Sequence, residues 1–219
     1  MDIPYKLISI EGDIGAGKTT LIEKLKKENP TWHFIDEPVQ TWLNIKNKDG
    51  TNILELFYQD KERYSYTFQN CALLSRALNI KKSIDDWMTK CKTKPELKEH
   101  NVFVTERCLE TDYYVFAQMV YDSNYMNDVE WTLYKMWYEY EKYRNYKTTK
   151  IIYLNTPPDI CLERIKKRNR KGEDGISIDY LQTLDKYQSK WLSEETMPVM
   201  IYNNYSELTP FEEIIKFVY

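Results

Sequence analysis

The stretch "LISIEGDIGAGKTT", Leu7 to Thr20, decides how the rest of the chain is read. An apolar run of strand character passes directly into a glycine-punctuated loop that ends in Gly-Lys-Thr-Thr. Gly12 to Thr19 fits G-x-x-x-x-G-K-[ST] in full, through Gly12, Asp13, Ile14, Gly15, Ala16, Gly17, Lys18 and Thr19. Each part of that pattern has a physical task. Glycines let backbone N–H groups curl around phosphate oxygens, and the helix that follows adds the positive end of its dipole. Lys18 reaches the terminal phosphates, and Thr19 supplies a hydroxyl for Mg²⁺, with Thr20 next in the helix. The context fits too, with a strand before the loop and a helical pattern after it. The loop predicts a nucleoside triphosphate as ligand.

Outward from the loop, five β-rich runs stand at Lys6–Glu11, Trp32–Asp36, Val102–Thr105, Lys150–Asn155 and Pro198–Tyr202. Helical patterns lie between them: Ala16–Lys27, Leu54–Ser83, Leu109–Tyr121, Val129–Tyr146, Pro158–Arg168, Asp179–Trp191 and Pro210–Phe217. Strands alternating with helices predict an α/β fold, a five-stranded parallel sheet covered by helices on both faces. No repeat or linker divides the 219 residues, so one domain spanning 1–219 is expected. Lys90–His100, polar and broken by Pro95, reads as a surface connector.

Bulk properties exclude several classes. A net charge of −3 gives no basic face for a polyanion, so nucleic acid is not an expected partner. No apolar run reaches the length of a membrane span. The first strand begins near Tyr5, which leaves no room for a signal peptide, so a cytoplasmic location is expected. Cys71, Cys91, Cys108 and Cys161 form no C-x-x-C pair and read as free thiols. His33 and His100 are the two histidines, too few for a His-rich metal site.

Triphosphate binding alone does not choose a reaction. A guanine-reading N-K-x-D is not formed by Asn47-Lys48-Asp49-Gly50, whose spacing is wrong. After the second strand, "IDEPVQTW" (Ile35–Trp42) places Glu37 where carboxyl ends of parallel strands meet ligands, as a candidate base for in-line attack on a γ-phosphate. After the third strand, "NVFVTERC" (Asn101–Cys108) pairs Glu106, near a metal, with Arg107.

These segments together resemble the deoxynucleoside kinase family, in its deoxycytidine- and deoxyguanosine-kinase branch, over nearly the whole chain and in order. "IEGDIGAGKTT" resembles the family's phosphate loop and "EPVQTW" its E-P-V-x-x-W. "FYQDKERYSYTFQNCALLSR" (Phe57–Arg76) is similar to its substrate-binding helix, and "TERCLETDYYVFA" (Thr105–Ala117) to its E-R-S and D-R-Y-x-F segments. "RIKKRNRKGEDGISIDYL" (Arg164–Leu181) resembles its arginine-rich lid, about 164–176.

The resemblance implies a P-loop nucleoside kinase fold and transfer of a phosphoryl group from ATP, with Mg²⁺, to the 5′-hydroxyl of a deoxynucleoside in nucleotide salvage. It implies Glu37 as base, with Lys18, Arg107, Arg164 and Arg168 completing the catalytic set. Arg164, Arg168 and Arg170 would clamp the donor, and Thr19 with Glu106 would hold the metal. Gln69 would read the base edge, with Phe68 and Phe116 on its faces. Trp42, Leu54 and Ala72 would shape the pocket, and Tyr58 and Glu173 would hold the sugar 3′-hydroxyl. The Arg76–Asp112 pair implies deoxycytidine, deoxyadenosine or deoxyguanosine ahead of thymidine, whose methyl needs apolar room.

Two departures stand out. The family's E-R-S reads Glu106-Arg107-Cys108, where an inert thiol is the plainer reading and a redox-sensitive one the alternative, and its Asp-Arg reads Asp112-Tyr113, removing an arginine. The rivals are a nucleoside monophosphate kinase and a non-catalytic nucleotide-binding subunit. The family forms homodimers, and the Trp- and Tyr-loaded stretch Trp131–Tyr146, or Leu54–Ser83, would supply that surface, the alternative for the former being a plain core stripe with tyrosines at its rim.

Overall fold

A strand buried on both faces needs a mainly apolar run, and Lys6–Glu11 (β1) supplies one: Leu7, Ile8 and Ile10 are wholly enclosed. A computed structural model describes residues 5–169, 173, 175–205 and 209–219. In chain order β1 is followed by Lys18–Glu28 (α1), His33–Ile35 (β2), Val39–Asn44 (α2), Ile53–Gln59 (α3) and Lys61–Thr93 (α4). A 3₁₀ turn at Pro95–Glu99 leads to Val102–Glu106 (β3). One helical segment then runs through Leu109–Thr111 (α5), a π-helical stretch at Asp112–Ala117, and Gln118–Asp122 (α6). Asp128–Arg144 (α7), Lys150–Leu154 (β4), Pro158–Arg168 (α8), Ile178–Glu194 (α9), Val199–Tyr202 (β5) and Phe211–Val218 (α10) complete the chain.

The five strands form one wholly parallel sheet in the order β2-β3-β1-β4-β5. β1 sits at the centre, so the phosphate loop at its carboxyl end opens midway along the sheet edge, flanked by the ends of β3 and β4. That is the edge where open α/β sheets bind ligands. The α/β reading and all five strands stand as expected.

The helices differ in four places. Leu54–Ser83 is not one helix. Asn52 and Glu55 form a capping box for α3, and the Asp60 carboxylate accepts from Arg63 N–H at 3.0 Å to start α4. A capping aspartate inside a periodic apolar pattern is a break that periodicity does not register. α4 then continues to Thr93, so only the end of Lys90–His100 connects elements, through the 3₁₀ turn. The short α2 after Pro38 was not anticipated, and the Leu109–Tyr121 helix carries a π turn.

α7 divides its aromatic residues between core and surface. Trp131, Tyr134 and Tyr138 are buried, whereas Met136, Trp137, Tyr140 and Tyr143 of the same helix are exposed. Tyr113, standing where the family has arginine, stacks on the Tyr138 ring at 4.1 Å and on Trp131 at 5.3 Å. The departure is therefore a packing change: an aromatic ladder replaces a cation.

Candidate active site

The phosphate loop is held from below by close backbone contact. A Cβ on Gly15 would stand 2.5 Å from the Cys161 carbonyl oxygen, and Gly17 has φ +98°, a left-handed conformation that glycine adopts freely. No side chain caps α1, and its first turn holds no acid, so its leading N–H groups stay open to an anion. The Lys18 ammonium donates to the carbonyls of Asp13 (2.9 Å) and Gly12 (3.2 Å) and lies 3.7 Å from the Glu106 carboxylate. Burial, then the neighbouring Arg107, lowers its pKa against the pull of Glu106, Glu37 and Glu11.

Beside it the Thr19 hydroxyl donates to Glu106 Oε2 at 3.1 Å. A hydroxyl and a carboxylate meeting next to a phosphate loop form the hard-oxygen donor set that Mg²⁺ takes, so these residues fit the ion that the resemblance implies.

A cleft of about 360 Å³ opens from the loop between α1, α3, α4 and the segment after β3. That volume suits a small organic ligand. Lys18, Thr19, Glu37, Gln69, Arg107 and Glu106 all line it, so residues from four separate segments share one space. Glu37 lies 3.3 Å from Arg76 Nη2 and 3.8 Å from Arg107 Nε. Burial alone would raise the Glu37 pKa, but Arg76, Arg107 and Lys18 outweigh it and hold the carboxyl below its ordinary value. Glu37 is thus ionised at neutral pH.

Arg107 occupies the left-handed region at φ +66°, uncommon for a residue with a side chain. Its N–H donates to the Ile10 carbonyl at 3.1 Å, and its guanidinium lies 4.7 Å from the Phe116 ring centre and 3.9 Å from Glu11. Glu11 is wholly buried in β1, where its carboxylate accepts from Ser9 Oγ (2.5 Å) and Cys108 N–H (3.0 Å). Sequence reading passed over Glu11, because a single acid closing an apolar strand carries no motif.

Deeper in the cleft, Arg76 donates through Nε to Asp112 Oδ2 at 2.8 Å and through Nη2 to Oδ1 at 3.3 Å. Its Nη1 donates to the Glu106 carbonyl at 2.6 Å, and Arg76 and Asp112 are each 2% exposed. The π turn helps, since it brings Asp112 and Phe116 onto the face that lines the cleft. Phe68 stacks on Phe57 at 4.8 Å and meets Trp42 edge-on at 5.4 Å, while the Trp42 indole donates to Ser75 Oγ at 2.9 Å. Ala72 leaves space between them, and Leu54, Tyr58 and Tyr180 also line the wall. Tyr180 had gone unnoticed; no motif sets it apart from the other tyrosines of the chain.

Arg168 and Glu173 are joined at 2.7 Å and both reach the cleft. Arg164 does not line the cleft; its guanidinium donates to the Ala16 carbonyl of the phosphate loop at 2.9 Å. Thr20 is exposed outside the cleft. Arg170, with part of the 164–176 segment, lies outside the described residues. Cys108 is fully buried, and burial followed by Glu11 and Glu110 pushes its thiol well above the ordinary value, so its environment is that of an inert thiol. All four cysteines are free.

A phosphate loop with an ionised acid and two arginines across a ligand-sized cleft defines a P-loop phosphotransferase that works on a small acceptor. The deoxynucleoside kinase family model matches residues 8–218, and the chain belongs to that family and is a kinase. It is 38% identical over 207 residues to deoxycytidine kinase 2 of Gallus gallus, covering 88% of this chain and 76% of that one. Deoxycytidine kinase of Homo sapiens is 36% identical, with 88% and 77% covered. The mitochondrial deoxyguanosine kinase of Xenopus laevis is 33% identical over 216 residues, with 92% and 78% covered. Among the described residues no helix is long and apolar enough to cross a membrane.

Proposed function

We propose that this kinase moves the γ-phosphoryl group of ATP to the 5′-hydroxyl of a deoxynucleoside, taking deoxycytidine, deoxyadenosine or deoxyguanosine ahead of thymidine, in nucleotide salvage. The observation that carries the reading is the placement of Glu37 in the same cleft as Lys18 and Gln69, between Arg76 and Arg107. A carboxylate held ionised there can accept the proton of a 5′-hydroxyl as that oxygen attacks phosphorus. Arg107 orients the hydroxyl and steadies the charge that develops. Lys18, Arg168 and the open N–H groups of α1 take the donor phosphates, so that catalysis is mainly positioning and charge stabilisation. Mg²⁺, held by Thr19 and Glu106, supplies a counter-charge to those phosphates.

At the acceptor end, Gln69 reads the base edge between Phe68 and Phe116, and Tyr58 and Glu173 take the 3′-hydroxyl. The Arg76–Asp112 pair fills the room a thymine methyl would need. The exposed Met136, Trp137 and Tyr140 of α7, with Leu78 of α4, give the chain an apolar surface suited to a homodimer. A cytoplasmic setting completes the reading.

The test is a phosphorylation assay with Mg-ATP against the four deoxynucleosides, two ribonucleosides and their monophosphates. Turnover confined to monophosphates, or highest with thymidine, would overturn the assignment.

A further inference from the structure

The carbonyl of Ala16, at the crest of the phosphate loop, is gripped by side chains that come from much later in the chain. Arg164 Nη1 lies 2.9 Å from it, Asn204 Nδ2 2.7 Å and Thr156 Oγ1 3.2 Å. The Thr156 hydroxyl stands nearer still to Asn204 Oδ1, at 2.9 Å, and it has one proton to give. That proton goes to Asn204, leaving the two lone pairs of the Ala16 oxygen to Asn204 and Arg164. Arg164 Nη2 also reaches the Asn204 backbone carbonyl at 3.4 Å. The result is a closed brace: Thr156 turns the Asn204 amide, and Asn204 with Arg164 fixes the carbonyl.

The brace bears directly on the loop. A Cβ on Gly17 would stand 3.0 Å from Asn204 Nδ2 and 3.4 Å from Arg164 Nη1, so nothing larger than glycine passes beneath it unstrained. In a planar trans peptide the C=O and the following N–H point opposite ways. Holding the Ala16 oxygen against Asn204 therefore aims the Gly17 N–H away from the brace, to the concave side of the loop. A rotated peptide would present an oxygen to phosphate instead of a hydrogen.

We propose that Asn204, oriented by Thr156, is a positioning residue that sets the affinity of this enzyme for its triphosphate donor and leaves the acceptor end untouched. The inference builds on the kinase reading above and extends it to residues that carry no motif, Asn204 standing 188 positions from Ala16.

The experiment uses the full chain and measures the Kd of Mg-ATP and of deoxycytidine by calorimetry, with KM for each. In Asn204→Asp a carboxylate oxygen faces the Ala16 oxygen in place of the amide hydrogens. ATP Kd and KM should rise about tenfold, the cost of a lost and partly repulsive hydrogen bond, with deoxycytidine constants unchanged. Thr156→Val, which deletes the orienting hydroxyl, should raise the ATP constants about threefold, and the double variant should be no worse than Asn204→Asp alone because the two act through one contact. Equal weakening of both substrates, or wild-type ATP affinity in either variant, would overturn the proposal. Should Asn204→Asp fail to fold, Thr156→Val alone decides. A wild-type chain that binds no ATP would overturn the kinase reading instead.

Discussion

The two ends of the cleft are made of different material. At the proposed donor end the loop offers mainly backbone N–H groups, joined by Lys18 and Arg168, and the glycines leave them room. At the acceptor end the wall is side chain throughout: Glu37 from the β2 edge, Arg76 from α4, Arg107 after β3 and Asp112 from the π turn. Backbone recognition suits a ligand group common to all nucleotides, and side-chain recognition suits the part that varies. Damage at the donor end should thus weaken binding of any triphosphate, whereas changes at the acceptor end should alter chemistry and choice.

The largest expected effect falls on chemistry. Glu37→Gln keeps the shape and removes the negative charge that Arg76 and Arg107 hold in place. Turnover should fall by about 10²–10⁴-fold, the usual contribution of general-base catalysis, while ATP still binds with its wild-type Kd. Near-normal turnover would erase the contrast between the two ends.

Next comes the buried pair. Arg76→Met alone leaves Asp112 enclosed without its cation, at a cost of about 3–5 kcal/mol read from chemical unfolding. Replacing both, as Arg76→Met with Asp112→Ala, should recover much of that stability, because no lone charge stays buried. It should also raise thymidine use relative to deoxycytidine. An unchanged ratio would mean that the pair serves folding and not selection.

How far the sequence could be read follows the same division. The donor end depends on local spacing, which is why Gly12–Thr19 could be read as a phosphate loop between a strand and a helix. The acceptor end joins residues more than 30 positions apart, and only resemblance to a known family tied Glu37, Arg76 and Asp112 together. Where neither spacing nor resemblance helped, the reading missed. Asp60 splits a periodic stretch into α3 and α4 by capping alone, and Glu11, Tyr180 and Asn204 act through contacts that no local pattern foretells. Arg164 matched a donor clamp by resemblance alone, and its hydrogen bond to the Ala16 carbonyl is a contact that no spacing foretold.

A third prediction sharpens the comparison at the departure Tyr113. Tyr113→Arg restores the family's dipeptide but removes a ring stacked against Tyr138, Trp131 and Tyr134. Aromatic pairs contribute about 0.5–1.5 kcal/mol each beyond area, so a loss of about 2–3 kcal/mol is expected by thermal or chemical unfolding. The KM for ATP should stay as it was, since the ladder packs behind the acceptor end. Arginine tolerated without loss would mean the ladder contributes little.

The smallest effect concerns the one acid inside the phosphate loop. Asp13 is 2% exposed with neither carboxylate oxygen hydrogen-bonded. Burial first, then Asp185 of α9, pushes its pKa up to about 7 against the opposing pull of Arg107 and Lys18. The folded state thus holds this proton more tightly than the unfolded chain, whose value is the ordinary 3.8. Asp13 contributes its full stability below about pH 4 and loses it progressively as pH rises through 7. Asp13→Asn removes the ionisation, so it should flatten that part of the stability profile. The gain at pH 8 should be only about 2 kcal/mol, because a buried amide without partners carries its own cost of about 1–3 kcal/mol. Unfolding midpoints from pH 4 to 8 measure both slopes, and parallel profiles for the two proteins would show that the carboxylate is stabilised by charge at the donor end after all.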